Sequence, residues 1–592
     1  MKAPTHPLRR VLGMLKAHRL RMLVIAIITF AQIGFQVLRP WPIQWVIDGL
    51  SEPGAAEPVY LRWAGPGGST QQLVVAGAAL VIIVLLQNLL TVGALSISIA
   101  LAHDLVGELR QRLYGHLQKL SVIFHKRQHP GDLLKRVAVD TFSVQSLVNN
   151  QIFPTATAAL TLVVMVVIML RLDPILALVA LGVMPALLVG IIRVSRRVDR
   201  QAAEAQEADS RLYQSVEEGL GAMPLIQATG QEGALLRRFA AISRESLAAN
   251  LRLYLTQGKF ALVTEVIAAA GTAALLILGV QHVQSKRLTV GELLVFLAYL
   301  AALYGPVNTI AQNICWGHAS LAGLRRVFEF LDIAPDVTDA ADARPIPHAA
   351  GDLSFENVSF SYETGAPILS NVSFRLVPGQ RVAIVGATGS GKTTLLGLMA
   401  RFFDPTEGRI LLDGQDLKTL RLADLRSQVT LVLQDPILLA SSVEENLLFG
   451  APPADAQAVE AAARAACAHD FITRLPDGYK TVLSSDGQTL SGGQRQRLGV
   501  GRGLLRVAPI MLLDEPTSAM YAVTEQRVLE ALFARTMGRT TLIVTHRLSL
   551  SRSADTVLVL SEGRIVEQGP HDVLMKAGGH YTSLARAGGM VA

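Results

Sequence analysis

The sequence predicts an α-helical membrane domain of six spans with long cytosolic helix extensions, followed by a soluble α/β domain with a mostly parallel sheet. Three observations predict it. Hydrophobic residues make up 51% of the 592 residues and charged residues 17%, with a mean hydropathy of +0.38, more apolar material than a soluble protein of this length can hide. The apolar stretches long enough to cross a bilayer all lie before Leu324. From Asp352 onward, short β-branched strands such as VAIVG, VTLVLQ, IMLLDE and TLIVTH alternate with helical patterns, as a parallel sheet requires.

The six stretches run roughly over 22–47, 72–102, 152–171, 174–194, 260–282 and 291–314, and each can span the ~30 Å hydrocarbon core, which takes about 20 helical residues. The first follows a basic head (Lys2, Arg9, Arg10, Lys16, Arg19, Arg21) and is too long for a cleaved signal peptide, so it is expected to be retained. Pro40 and Pro42, beside Trp41, are expected to kink it. The loop 48–71 holds one cation, Arg62, whereas 103–149 and 195–259 are rich in Arg and Lys; those two segments and both termini are therefore expected to face the cytoplasm. Both segments are too long for plain loops, and stretches such as DSRLYQSVEEGLGAM are helical in period, so the spans are expected to continue far into the cytosol. The net charge of +7 points to a membrane, not to nucleic acid, because the cations flank apolar segments and form no stripe interleaved with aromatics. Cys315 and Cys467 are too few and too far apart for a disulfide framework or a thiolate metal cluster.

The composition then changes. Residues 331–350, with DIAPDVTDAADARPIPHAA, read as an extended linker, which divides the chain into a membrane domain (1–330) and an α/β domain (351–592). The α/β domain carries VAIVGATGSGKTTLL, that is Gly386-x-x-x-x-Gly391-Lys392-Thr393 between a strand and a helix. Glycines let backbone N–H groups wrap a phosphate, Lys392 would reach the β- and γ-phosphates, and the Thr393 hydroxyl would ligate Mg²⁺. A tight turn with chance glycines is the bland alternative, and the flanking strand and helix argue against it. Beside such a loop, the two acids ending IMLLDE acquire roles: Asp514 as the Mg²⁺ acid and Glu515 as the base that polarises the attacking water. His546, ending LIVTH, is placed for a γ-phosphate contact.

LSGGQRQRLGVGRGLL (490–505) resembles the signature motif of the ATP-binding cassette (ABC) transporters, and six spans fused ahead of one cassette resemble an exporter-type half-transporter. The resemblance covers almost the whole chain and implies ATP and Mg²⁺ as ligands of the second domain. It implies an ATP-binding segment of Gly386, Ala387, Thr388, Gly389, Ser390, Gly391, Lys392, Thr393 and Thr394, with Tyr362 stacking on adenine and Gln434 touching Mg²⁺ beside Thr393 and Asp514. Ser491, Gly492, Gly493 and Gln494 match the motif that closes on ATP from the opposite subunit. The working unit implied is a dimer with twelve spans and two shared ATP sites, a homodimer by preference, although a different partner chain stays open. SVIFHKRQHPGDLLKRVAVD (121–140) and GAMPLIQATGQE (221–232) resemble the two coupling regions of exporters.

Two departures stand out. After DEPTSA the family continues Leu-Asp, whereas this chain has Met520-Tyr521, and VLSSDGQT (482–489) lacks the usual Gly-Glu-Arg-Gly run. An active ATPase with altered rate or coupling is the expectation. For the substrate, Glu265 in the fifth span, with Gln36, Arg39 and Gln312, forms a candidate cavity set; packing between helices through the same groups is the alternative. The set suggests an amphipathic cargo (small molecule, lipid or peptide) exported or flipped across the inner membrane. An importer of this architecture, as in siderophore uptake, and an ATP-gated channel or regulatory subunit are the competing readings; intact Glu515 and His546 argue against the last.

Overall fold

The computed structural model describes residues 7–51, 70–362, 365, 367–484, 487 and 489–587; the side chains of 51, 183, 186–193, 195, 196, 199, 311, 314–319, 548, 549 and 587 also lie outside the description. The chain divides into two compact units, one of Met1–Gln118 with Pro130–Ile333, the other of Lys119–His129 with Ala334–Ala592.

The first unit is helical: α1 (Arg19–Leu38), α2 (Trp41–Ser51), α3 (Thr70–Leu117), then, after the excursion Lys119–His129, α5 (Phe153–Leu172), α6 (Pro174–Gly221), α7 (Met223–Thr229), α8 (Glu232–Gln284) and α9 (Val290–Leu331). The excursion carries α4 (Val122–Arg127). Five helical segments among the described residues are long and apolar enough to cross a membrane: Pro7–Leu50, Thr70–Leu117, Pro130–Leu172, Glu232–Gln284 and Val290–Ile310. The fourth expected span, 174–194, falls in α6, where side chains 183 and 186–193 lie outside the described residues; most of the loop 48–71, with Arg62, does so too. At 53 residues, α8 is about 80 Å long, more than twice the hydrocarbon thickness. Such lengths are what the helical period of the polar segments predicts.

Local chemistry sets the breaks. The first span is interrupted at Arg39–Pro40, where proline has no N–H to continue the ladder, and α2 restarts with Ile43 N donating to Pro40 O at 3.2 Å. At the turn between α5 and α6, Asp173 caps α6 by accepting from Ile175 N (2.8 Å) and Leu176 N (3.0 Å), and its other oxygen meets His282 Nδ1 at 2.7 Å. Thr289 and Glu292 form a capping box at the start of α9, and Asp48 adds bonds from Thr289 Oγ1 (3.0 Å) and Gly291 N (2.8 Å). Phe296, Tyr299, Leu300 and Leu303 of α9 pack on Met165 and Met169 of α5 and Leu176 of α6. Many apolar side chains instead point outward, among them Val81, Leu89, Leu262 and Ile277, as a lipid-facing surface requires.

Among its described residues, the second unit holds ten strands: β1 (Leu353–Phe360), β2 (Leu369–Leu376), β3 (Arg381–Val385), β4 (Glu407–Leu412), β5 (Gln415–Asp416), β6 (Val429–Val432), β7 (Ile510–Asp514), β8 (Thr540–Val544), β9 (Thr556–Ser561) and β10 (Arg564–Gly569). They form a four-stranded antiparallel sheet, β2-β1-β4-β5, and a six-stranded sheet, β10-β9-β3-β8-β7-β6, parallel from β9 to β6. The parallel strands are buried on both faces, which explains their unbroken apolar runs. The excursion belongs to this unit: Ser121 caps α4, Ile123 packs on the core, and Arg127 Nη2 donates to Tyr362 O at 2.9 Å.

Candidate active site

The order β3-β8-β7-β6 places four consecutive carboxyl ends side by side, the edge at which open α/β sheets bind ligands. After β3 comes the phosphate loop, after β8 Thr545-His546, after β7 Asp514-Glu515, and two residues beyond β6, Gln434. Residues scattered over 160 positions thereby converge, from Gly386 to His546.

The loop leads into α10 (Lys392–Met399). Gly389 and Gly391 have φ of +84° and +103°, and a Cβ on Gly391 would come within 2.7 Å of Leu369. Glycine is required there by both conformation and space. A Cβ on Gly389 would meet nothing, so the loop crest faces open space. Lys392 is 7% exposed and its Nζ donates to Gly386 O and Ala387 O, each at 2.9 Å. Burial holds its ammonium below the usual lysine range, against the pull of Glu515 and Asp514. The buried Ser390 hydroxyl has no partner among the described residues, an unmet polar group in the cradle.

Asp514 is buried at the end of β7. Burial raises its carboxyl above the usual range, a hydrogen bond from Thr393 opposes this, and the charge of Glu515 adds to the rise. Glu515 sits at φ +43°, a left-handed conformation that costs a non-glycine residue about 1 kcal/mol or more and is common at functional sites. The kink aims its carboxylate: Oε2 accepts from Gln434 Nε2 at 2.9 Å and Oε1 lies 2.8 Å from His546 Nε2. The oxygen donors of Thr393, Asp514 and Gln434 suit a hard divalent cation such as Mg²⁺ completed by phosphate oxygens.

Tyr362 is held by its hydroxyl to Thr394 Oγ1 (3.0 Å) and stands edge-on to Phe360. Ser491 and Gln494 form a reciprocal capping box at the start of α11 (Gly492–Leu505): Ser491 N donates to Gln494 Oε1 at 2.8 Å and Gln494 N to Ser491 Oγ at 3.3 Å. Gly493 lies against the turn after β7, where a Cβ would come 2.8 Å from Ala519 O. Among the described residues, no hydrogen bond joins Ser491–Gln494 to the phosphate loop of the same chain. Tyr521 is 87% exposed and stands at the N-cap of α12 (Ala522–Arg535) without a side-chain cap bond. Of the segment 482–489, residues 485, 486 and 488 lie outside the described residues.

Among the described residues, no hydrogen bond or ion pair brings the candidate cavity residues together. Glu265 and Arg39 are exposed, Gln36 is half-buried, and Gln312 bonds Asn308 on its own helix at 3.3 Å. Sequence reading passed over Gln496 and Arg547. Both sit within the motif stretches, two residues beyond Gln494 and one beyond His546, and burial of a glutamine is visible only in the fold.

The chain matches the family model of the ABC transporter transmembrane region over residues 22–307 and that of the ABC transporter cassette over 369–518. It is 35% identical over 487 residues to an ATP-dependent lipid A-core flippase of Syntrophus aciditrophicus, covering 81% of this chain and 80% of the relative. The chain belongs to the ABC transporter family. This ABC transporter is also 31% identical to a putative multidrug export ATP-binding/permease protein of Staphylococcus aureus, over 98% of its own length and 99% of that protein. Among solved structures, a bacterial Atm1-family ABC exporter with ATP bound superposes with a TM-score of 0.82 at 27% identity, covering 96% of this chain and 98% of that one. The protein is therefore a multi-pass membrane protein and an ATPase-type transporter, powered by ATP bound in its cassette.

Proposed function

We propose that this ABC transporter is an exporter-type half-transporter that works as a homodimer, each ATP enclosed between the phosphate loop of one copy and Ser491–Gln494 of the other. The observation that carries the reading is the Glu515 carboxylate bracketed by Gln434 and His546 beside the phosphate loop. That geometry suits a base that orients and deprotonates water for attack on a γ-phosphate, with His546 stabilising the charge that develops. Lys392 would turn from the loop carbonyls to the phosphates, and Tyr362 would stack on adenine. Mg²⁺ carried with ATP, held by Thr393, Gln434 and Asp514, would neutralise phosphate charge.

The domain limits proposed are 1–330 for the membrane domain, 331–350 for the linker and 351–592 for the nucleotide-binding domain, with both termini cytoplasmic and the protein in the inner membrane. The relatives named for lipid A flipping and drug export support export or flipping of an amphipathic molecule. Glu265, Arg39, Gln36 and Gln312 are its proposed contacts, lined up only when two copies assemble. The test is Mg²⁺-dependent ATPase in lipid nanodiscs for wild type and Glu515→Gln, followed by directional flux in proteoliposomes. ATPase lost in the variant and ATP-dependent flux away from the cassette side are expected; turnover that survives the substitution removes Glu515 from its role, and flux toward the cassette makes the protein an importer.

A further inference from the structure

We propose that Gln496 is a positioning residue that joins the signature helix to the catalytic acid, so that closure on one nucleotide is registered at the other. The proposal rests on the reading of Glu515 as the base. Gln496 lies one turn into α11 and is 3% exposed. Its carboxamide is fully used: Nε2 donates to Gln434 O at 3.0 Å and to Ser518 Oγ at 2.7 Å, and Oε1 accepts from Ala519 N at 2.8 Å. Only an amide fits this set, since it must offer two donors on one side and an acceptor on the other.

The partners matter more than their number. Gln434 is the residue whose side chain holds Glu515 Oε2, so Gln496 anchors the backbone of the group that aims the base. Ser518 and Ala519 belong to the turn that follows Glu515, and Gly493 of the signature motif packs directly on Ala519 O. The same turn is clamped from the far side by Arg547, which donates to Ser518 O at 3.0 Å and pairs with Glu525; Arg547 follows His546 in sequence. The start of α11, Gln434, the Glu515 turn and the His546 loop are thus one hydrogen-bonded body with Gln496 inside it. In the proposed dimer, Ser491–Gln494 touch the partner's nucleotide while Glu515 serves the chain's own. A shift of the signature helix must then move the supports of Glu515, because an unmet C=O or N–H in this closed space is costly.

The test compares wild type, Gln496→Ala, Gln496→Glu and the control Glu515→Gln in nanodiscs, measuring kcat, KM for ATP, nucleotide affinity and Tm. Both Gln496 variants are expected to lose about tenfold to a hundredfold in kcat, the usual cost of removing the support of a reacting group, with KM and affinity changed by less than about threefold. Gln496→Glu keeps the acceptor and loses both donors. A loss confined to kcat marks a positioning role, whereas a purely structural defect lowers Tm and nucleotide affinity together. A kcat within about twofold of wild type in both variants, or a kcat loss matched by an equal loss of nucleotide affinity, overturns the proposal. An active Glu515→Gln protein sinks the assignment of the base, and the proposal with it, in a measurement that leaves Gln496 untouched.

Discussion

Asp514 and Glu265 are both acids set against apolar runs, and the two halves of the molecule treat them differently. Asp514 is buried at a strand end, bonded by Thr393 and placed between Lys392 and Glu515. Glu265 lies exposed on α8, and its carboxylate makes no hydrogen bond or ion pair with a described residue. The contrast extends to neighbours. In the cassette, polar side chains at the sheet edge meet partners brought from distant positions, as Glu515 meets Gln434 and His546. In the helical unit, several polar groups pair between packed helices, Ser98 with Asn149 at 2.6 Å, Gln151 with Ser320 at 2.9 Å, and Asn313 with Thr155 at 2.9 Å, and others, such as Thr91 and Ser96, bond a carbonyl of their own helix. Such pairs hold packed helices together. The cassette fixes its reacting atoms against one another, whereas the candidate cargo residues of the membrane half are left without such mutual contacts.

The largest effect should fall on the base. Glu515→Gln is expected to lower ATPase by about 10² to 10⁴, the range for losing a general base, read as phosphate release in nanodiscs. If Glu265→Gln lowered basal turnover comparably, the contrast between the halves would collapse. Asp514→Asn comes next, with turnover down about 10² to 10³ for a lost electrostatic contact. It carries a second signature. Because burial raises the Asp514 carboxyl, its ionised form is disfavoured by the fold, and stability falls as pH rises through that raised value. The neutral amide should therefore raise Tm without nucleotide at neutral pH while lowering turnover, and a lowered Tm would contradict the account.

Smaller effects probe the helix ends. Asp173→Ala removes the cap of α6 and the bond to His282 and should cost about 1–2 kcal/mol, seen as a lower midpoint in thermal unfolding with little change in nucleotide affinity. Tyr521→Asp supplies the side-chain cap that α12 lacks and should add about 1 kcal/mol, with ATPase unchanged or raised; a collapse of activity would give the tyrosine a positive role. The smallest change is expected from Glu265→Gln, with basal ATPase within about twofold of wild type and stimulation by cargo altered.

Legibility followed the same division. The phosphate loop, Asp514, Glu515 and His546 could be read because a strand end, a glycine conformation and a metal acid each demand one residue type at one spacing. Long helices were readable from their period, and the break at Pro40 from the missing N–H. Gln496 was not, since a glutamine two positions past the signature motif looks like any polar helix residue until burial obliges its carboxamide to bond Gln434, Ser518 and Ala519. The left-handed backbone of Glu515 was equally invisible, because nothing in Asp-Glu-Pro states that Glu515 N must reach Val544 O, which it does at 3.0 Å.

By itself the sequence determined the division into a lipid-facing helical half and a parallel-sheet half, because hydropathy and periodicity are local properties summed along the chain. It also singled out the residues expected to meet the phosphates, and the fold brings the phosphate loop, Asp514, Glu515 and His546 to one sheet edge. Only the tertiary structure decided how the carboxylate of Glu515 is aimed, which polar groups of the helices are already paired, and that the part of the expected coupling region grouped with the cassette unit runs from Lys119 to His129. Those outcomes depend on contacts between residues far apart in the chain, and such contacts leave no periodic trace in the sequence.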